Sequence, residues 1–288
     1  VLLHLLHNHS NISAVHINHG LHKDADQWQQ HCEQVCTDLG MPFTAIKVSI
    51  IKKPRHSLEA LAREARYEAL SSLMSDGSLL LTGHNQNDQA ETVLLQLMRG
   101  AGVKGLSGMP VEKPFATGQL VRPLLSVSRS EIEAYARQHN LQWIEDPSNA
   151  GDDFDRNFLR NKIFPELETR RNGVLQNIAR SASHMAQTAE LTEALAAIDY
   201  QVVQGDTQES LNIEQLKTLS DNRQSNVIRY WLMLLGLRLP SQAVLQQIKQ
   251  QLLYSYPGSN PCVRFADVEL KRDKINKSQL VCVSLCNI

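Results

Sequence analysis

The chain has 288 residues, 42% of them hydrophobic and 20% charged, with a formal net charge of −1. That length holds one large or two ordinary domains with real cores, and the near-neutral charge removes any global drive toward nucleic acid, so such binding has to come from local basic patches. Residues 1–6 are apolar but too few and too unflanked for a signal peptide, no other stretch reads as a membrane span, and five cysteines, an odd number, point to reduced thiols and a cytoplasmic protein rather than a disulfide framework.

Residues 13–18 read as a strand, 24–39 as a helix closed by Gly40, and 43–48 as a second strand. Ser57 is expected to cap a helix reaching about Met74; 78–82 is a third strand, and a helix follows from Asp88 to Arg99 with Gly100 just past its end. Strand and helix alternating in this order imply right-handed crossovers and a parallel sheet covered on both faces, with ligands at the carboxyl ends of its strands. Residues 120–122 add a strand before Pro123, and Ser128-Arg-Ser-Glu131 is a capping box opening a helix to about His139, with Asn140 as its C-terminal cap. A polar loop at 149–155 precedes a short helix, 156–164, ended by Pro165. A helix poor in glycine and proline then runs from about Gly173 to Gly205 and suits a connector. Beyond it helices dominate, 221–235 and 241–254 most clearly, 256–261 breaks the chain, and 262–265, 268–272 and 280–285 alternate as strands. The fold class is α/β: a doubly wound parallel sheet over 1–190, then a mainly helical second domain over 191–288, with the start of a third region after 257.

The segment after the third strand holds the densest chemistry. His84 falls in the loop between strand and helix, and Asp88 and Glu91, three residues apart, share one face of the first helical turn. Two anions there also suit the helix dipole, a purely structural reading. His16, Asn18, His19 and Gly20 stand at the end of the first strand, where imidazole and amide groups can touch a base edge or a phosphate and glycine permits positive φ; a self-satisfied polar turn explains them equally well. Arg63 and Arg66 share a helix face and can clamp a phosphate or carboxylate, or lie in solvent. Asp146, Asn149, Asn157, Arg156 and Arg160 gather after another strand-like segment, the two arginines one helical turn apart and suited to adjacent phosphates, unless Arg156 pairs with Asp152 or Asp153. Gly100-Ala-Gly-Val-Lys-Gly105 matches a dinucleotide fingerprint but closes a helix instead of opening one, so a C-cap and turn is the simpler reading. Cys32 with Cys36 and Cys282 with Cys286 are each four apart, too wide for the usual zinc knuckle; packing explains them, and no metal site is assigned.

Residues 16–21 (His-Ile-Asn-His-Gly-Leu), 62–67 (Ala-Arg-Glu-Ala-Arg-Tyr), the block from Thr82 to Met109, and Glu145-Asp-Pro-Ser-Asn149 with Arg156, Asn157 and Arg160 resemble, in order and spacing, the bacterial tRNA(Ile)-lysidine synthetases, which are PP-loop ATP pyrophosphatases. The resemblance implies a doubly wound nucleotide-binding domain followed by a helical tRNA-binding domain. It implies ATP and Mg²⁺ as cofactors, and L-lysine and tRNA(Ile) with a CAU anticodon as partners; a homodimer is compatible with it. The wobble cytidine would be adenylated at its C2 oxygen, and the lysine ε-amine would then displace AMP. On this reading His84 and Arg156 are catalytic, Asp88, Glu91, Arg63 and Arg66 hold lysine, and His16, Asn18, His19, Gly20, Asp146, Asn149, Asn157 and Arg160 touch nucleotide or tRNA. The family's Ser-Gly-Gly-x-Asp-Ser phosphate loop is expected upstream of Val1, so the chain reads as a fragment at both ends, expected to bind ATP poorly by itself. The alternatives are a PP-loop tRNA 2-thiolase and a catalytically dead tRNA-binding module.

Overall fold

Strands alternating with helices fill the first part of the chain, because short apolar runs there are separated by amphipathic stretches. The structure, a computed structural model, describes residues 1–51, 58–147, 151–152, 154–256, 261–273, 275–276 and 278–284, and Ser57 and Asn149 lie outside them. Two units result, Val1–Ala186 and Gln187–Ile288.

In the first unit a short helix α1 (Leu2–Leu6) leads to β1 (Ala14–Asn18), and α2 (Ala25–Asp38) carries the chain to β2 (Phe43–Lys47). These two strands pair in parallel, Ile17 opposite Ile46. Helix α3 (Leu58–Ser71), β3 (Leu79–Leu81) and α4 (Gln86–Met98) repeat the pattern. After a four-residue helix α5 (Val103–Leu106), β4 (Glu112–Phe115) and β5 (Gly118–Val121) form a hairpin; β5 lies parallel to β3, Leu80 opposite Leu120. Strand β4 is not among the sequence expectations, since Glu-Lys-Pro-Phe neither alternates nor avoids proline. It lies at the edge of its sheet, where a missing N–H is tolerated.

Gly100 follows α4 at φ +70° and Gly102 precedes α5, so the glycine-rich run is a helix stop and a turn. Helix α6 (Arg129–Gln138) opens on the expected capping box, with Ser128 Oγ accepting from the Glu131 N–H at 3.2 Å and Glu131 Oε2 accepting from the Ser128 N–H at 2.8 Å. Asn140 takes φ +51° just past its end.

Pro165 does not end its helix, contrary to expectation. Helix α7 (Asp155–Phe158) continues through a wide π-type turn, Leu159–Ile163, into α8 (Phe164–Arg170). In a regular helix the proline ring strikes the carbonyl four residues back. Here the Phe164 N–H reaches across five residues to the Leu159 carbonyl, and the widened turn makes room for the ring. Phe164 and Leu159 then pack with Ala90 of α4 in a small core extended by Leu94, Leu167 and Ile178.

Helix α9 (Val174–Val203) runs from the first unit into the second. The second unit contains β6 (Ser210–Asn212), α10 (Ile213–Thr218), α11 (Asp221–Leu234), α12 (Gln242–Ile248) with a π-type extension Lys249–Leu253, then β7 (Cys262–Phe265), β8 (Val268–Arg272) and β9 (Gln279–Ser284). The helices share their core with an antiparallel sheet of order β6-β9-β8-β7, so this unit is less purely helical than its sequence suggests. Strand β6 is only three residues long, too short for alternation to register.

Trp231, Ile228, Leu232, Leu245, Leu252, Leu270 and Leu280 are fully buried at its centre. The Trp231 indole N–H donates to the Gln208 carbonyl at 2.8 Å, so its polar atom is satisfied inside the core. We expect Trp231→Ala to cost about 3–5 kcal/mol of stability, the range for large aromatic truncations. Urea unfolding checks it; a loss below about 1 kcal/mol contradicts this account of the core.

Candidate active site

The loop Thr82–Asn85 connects the carboxyl end of β3 to the N-terminus of α4, the place where parallel α/β sheets bind ligands. Asn85 is the N-cap: its Oδ1 accepts the N–H groups of Asn87 and Asp88 at 2.9 and 3.2 Å, and Asp88 Oδ2 accepts the Asn85 N–H at 3.0 Å. The helix therefore starts earlier than expected, and Asp88 spends one oxygen on its cap. The Asn-x-x-Asp spacing is the sequence signal that identifies it.

Glu91 is 0% exposed. Its two oxygens meet Arg160, Nε at 2.8 Å and Nη2 at 3.1 Å, in the two-pronged geometry that guanidinium groups favour. Arg156 Nε stands 2.9 Å from Glu91 Oε2 without hydrogen-bond alignment, while its Nη2 donates to Thr92 Oγ1 at 3.3 Å. Arg160 Nη2 also lies 3.6 Å from Asp88 Oδ1. Burial pushes the Glu91 carboxyl above its ordinary range, against the pull of Arg160 and Arg156. The expectation that Glu91 receives a free ammonium is corrected: it is the anchor of two arginines. The alternative pairing of Arg156 with Asp152 gives way to this one, and Asp153 lies outside the described residues.

His84 is half-buried, its Nδ1 2.9 Å from Thr82 Oγ1. Burial lowers its pKa, and Arg122, Arg63 and Arg156 lower it further, against Asp88, which raises it. The shift favours the neutral imidazole over the imidazolium.

At the end of β1 the expected residues are put to different uses. Asn18, 3% exposed, donates to Asp26 Oδ1 at 2.8 Å and Gln29 Oε1 at 3.0 Å, and accepts the Gly20 N–H at 2.9 Å. Those bonds tie β1 to α2 and brace Gly20 at φ +62°, so Asn18 and Gly20 shape the loop and Asn18 is not free to read a base. His19 Nε2 takes Arg66 of α3 at 3.2–3.3 Å, with its Nδ1 buried and unpartnered. Burial and Arg66 together depress the pKa values of His16 and His19. His16 and Asp146 meet instead at a mainly apolar cavity of about 440 Å³ with Trp28, Cys36, Phe43 and Trp143, which His84, Asp88 and Glu91 do not line. Asn157 is buried on α7. Arg63 lies 5.0 Å over the Tyr67 ring. Sequence reasoning passed over Arg122, a buried arginine hidden in the run Leu120-Val-Arg-Pro-Leu-Leu125.

A PP-loop domain model matches residues 1–167, and a TilS substrate binding domain model matches residues 211–274. The chain is 43% identical over 270 residues to the tRNA(Ile)-lysidine synthase of Coxiella burnetii, covering 93% of this chain and 60% of that protein. It is also 43% identical over 273 residues to that of Actinobacillus pleuropneumoniae serotype 3, covering 94% and 65% respectively. The chain thus spans roughly 60–65% of the length of these curated relatives. A solved U34-tRNA thiolase from Methanococcus maripaludis shares the fold at TM-score 0.53 and 16% identity, over 65% of each chain. No helix among the described residues is long and apolar enough to cross a membrane.

Removing the Glu91 charge leaves two guanidinium groups facing a neutral amide, so Glu91→Gln is expected to destabilise the protein by about 3 kcal/mol. Asp88→Asn keeps an acceptor for the cap and is expected to cost under about 1 kcal/mol. Paired urea denaturation curves rank the two, and the reverse order contradicts the anchoring role of Glu91.

Proposed function

The chain belongs to the PP-loop family, and from that premise we propose that it is the adenylating and tRNA-binding part of a tRNA(Ile)-lysidine synthase. The observation that carries the proposal is a PP-loop domain followed in one chain by a TilS substrate binding domain, with a neutral histidine, a capping aspartate and two anchored arginines at the expected strand end. The cytidine C2 oxygen attacks the α-phosphate of ATP and expels pyrophosphate. The lysine ε-amine then bonds to C2, AMP leaves, and the proton lost by the amine passes to His84. In the tautomer whose Nδ1–H donates to Thr82 Oγ1, the one this role requires, His84 Nε2 keeps a lone pair for that proton, and Asp88 steadies the imidazolium that results.

Asp88 Oδ1 is the acceptor we assign to a lysine ammonium. Arg66, fixed by His19, is assigned its carboxylate. Arg156 and Arg160 face phosphate, and Glu91 positions them. Mg²⁺ belongs to this proposal only as the companion of the nucleotide phosphates. Glu91 is committed to arginines and one oxygen of Asp88 to a helix cap, no group of three metal-ligating side chains occurs among the described residues, and the steps above are written on protein side chains alone. The 2-thiolase alternative loses support because burial raises the thiols of Cys32 and Cys36, the opposite of what a sulfur nucleophile needs.

Labelled lysine incubated with the intact gene product, ATP and tRNA is expected to enter tRNA(Ile) with a CAU anticodon and not methionine tRNA. Label in neither would sink the proposal and leave a silent tRNA-binding module. His84→Asn is expected to lower kcat by roughly 10²–10⁴ with little change in the lysine KM. Because the His84 pKa is depressed, the neutral base persists as pH falls through the ordinary histidine range. The acid limb of log kcat/KM should therefore lie below pH 6.5, the unperturbed value, and a limb above it would contradict His84 as base.

A further inference from the structure

The sheet face beneath α3 carries a group of cations that the reaction above leaves unused. Lys113 of β4 stands opposite Leu120 of β5, and Arg122 follows Leu120 by two residues, with its N–H still bonded to the Val111 carbonyl at 2.8 Å. Side chains alternate along a strand, so Lys113, Leu120 and Arg122 share one face. Phe115 belongs to that face too, and it meets Tyr67 of α3 edge-on at 5.7 Å, which identifies the face as the one α3 covers. Arg63 of α3 lies over the same Tyr67 ring.

Arg122 is 3% exposed; one Nη donates to the Pro110 carbonyl at 2.7 Å, and its Nε is buried without a partner. Lys113 and Arg63 are exposed. Among the described residues no carboxylate pairs with any of the three. Burial depresses both Lys113 and Arg122; Arg122 and Arg63 lower Lys113 further, and Arg63 lowers Arg122 against Tyr67, whose hydroxyl hydrogen-bonds the guanidinium and raises it. A guanidinium taken out of water beside two further cations is costly unless an anion compensates it. One carboxylate would leave most of that charge standing, whereas a phosphate group offers two or three oxygens to a planar fork and an ammonium together.

The geometry points to a phosphate subsite with Arg122 as its floor and Lys113 and Arg63 as its rim. The Thr82 N–H donates to the Val121 carbonyl at 3.0 Å, so Arg122 stands beside the loop that carries His84, and the phosphate belongs to a ligand of the same mouth, either a nucleotide polyphosphate or the backbone of a nucleic acid. The subsite does not depend on lysine being the amino acid used.

The test is calorimetric titration of the intact gene product and of its Lys113→Gln and Lys113→Glu variants with inorganic pyrophosphate, and separately with a tRNA anticodon stem-loop. Lys113 is exposed, and circular dichroism verifies that the variants are folded. A nucleotide source predicts that pyrophosphate binding weakens roughly tenfold in Lys113→Gln and further in Lys113→Glu. An RNA-backbone source predicts unchanged pyrophosphate binding, weaker stem-loop binding, and a salt slope smaller by about one. Arg122→Lys, which keeps the charge and loses the fork, should weaken the same ligand that Lys113→Gln weakens. If folded Lys113 variants bind both probes as the unaltered protein does, the subsite is wrong.

Discussion

A carboxylate shut away from water cannot carry its charge alone, and the arrangement of the first unit's charged groups follows from how Glu91 meets that constraint. It takes one guanidinium in two-pronged contact and a second within ion-pair distance. Both come from a segment 65 to 69 residues further along the chain. The pairing ties α4 to α7 and to the wide turn after it, and the apolar contacts of Ala90, Leu159 and Phe164 lie along the same seam. Orientation of the arginines and packing of the helices are therefore one event. Each arginine keeps somewhat over a quarter of its side chain open to solvent, so the anchor leaves donors available for a ligand.

The charged groups then sort by whether they are compensated. Glu91, Arg156 and Arg160 compensate one another, while the pKa of the His84 imidazole is lowered by burial first and by Arg122, Arg63 and Arg156, against Asp88, which raises it. A neutral imidazole in such a place keeps its lone pair unprotonated near neutrality, the state a base for an amine nucleophile must start from, and its lowered pKa makes it a weaker base in exchange. The uncompensated cations lie to one side, on the α3 face, so a polyanionic ligand and a neutral base can share the mouth without competing for the same side chains.

Much of this could be read in advance where the cause was local. The β3–loop–α4 junction follows from three apolar residues and the polar run after them, and the Ser128–Glu131 box marks the start of α6 without ambiguity. The capping role of Asp88 was equally local, since Asn85 precedes it by three, but its candidacy as a binding carboxylate obscured it. The fate of Glu91 was not legible, because periodicity says which face a residue takes and nothing about which distant cation meets it. Asn18 misled for the same reason: an amide at a strand end looks available until Asp26, Gln29 and Gly20 claim it. Arg122 escaped notice because its neighbours are apolar, and a cation inside such a run reads as an interruption, not as a floor.

The wide turn at Leu159–Ile163 has a consequence for chain length. An α-helix advances its face by about 100° per residue, so Arg156 before the turn, Arg160 within it and the apolar residues after it would fall out of phase if the helix ran on regularly. The extra residue resets the phase, allowing one continuous segment to present guanidinium groups to Glu91 and Phe164 to the core. Any deletion or insertion of a single residue here would swing one of those faces into solvent while every functional side chain remained in the sequence. The segment is therefore more sensitive to spacing than to composition, and its length is as much a part of the site as its arginines.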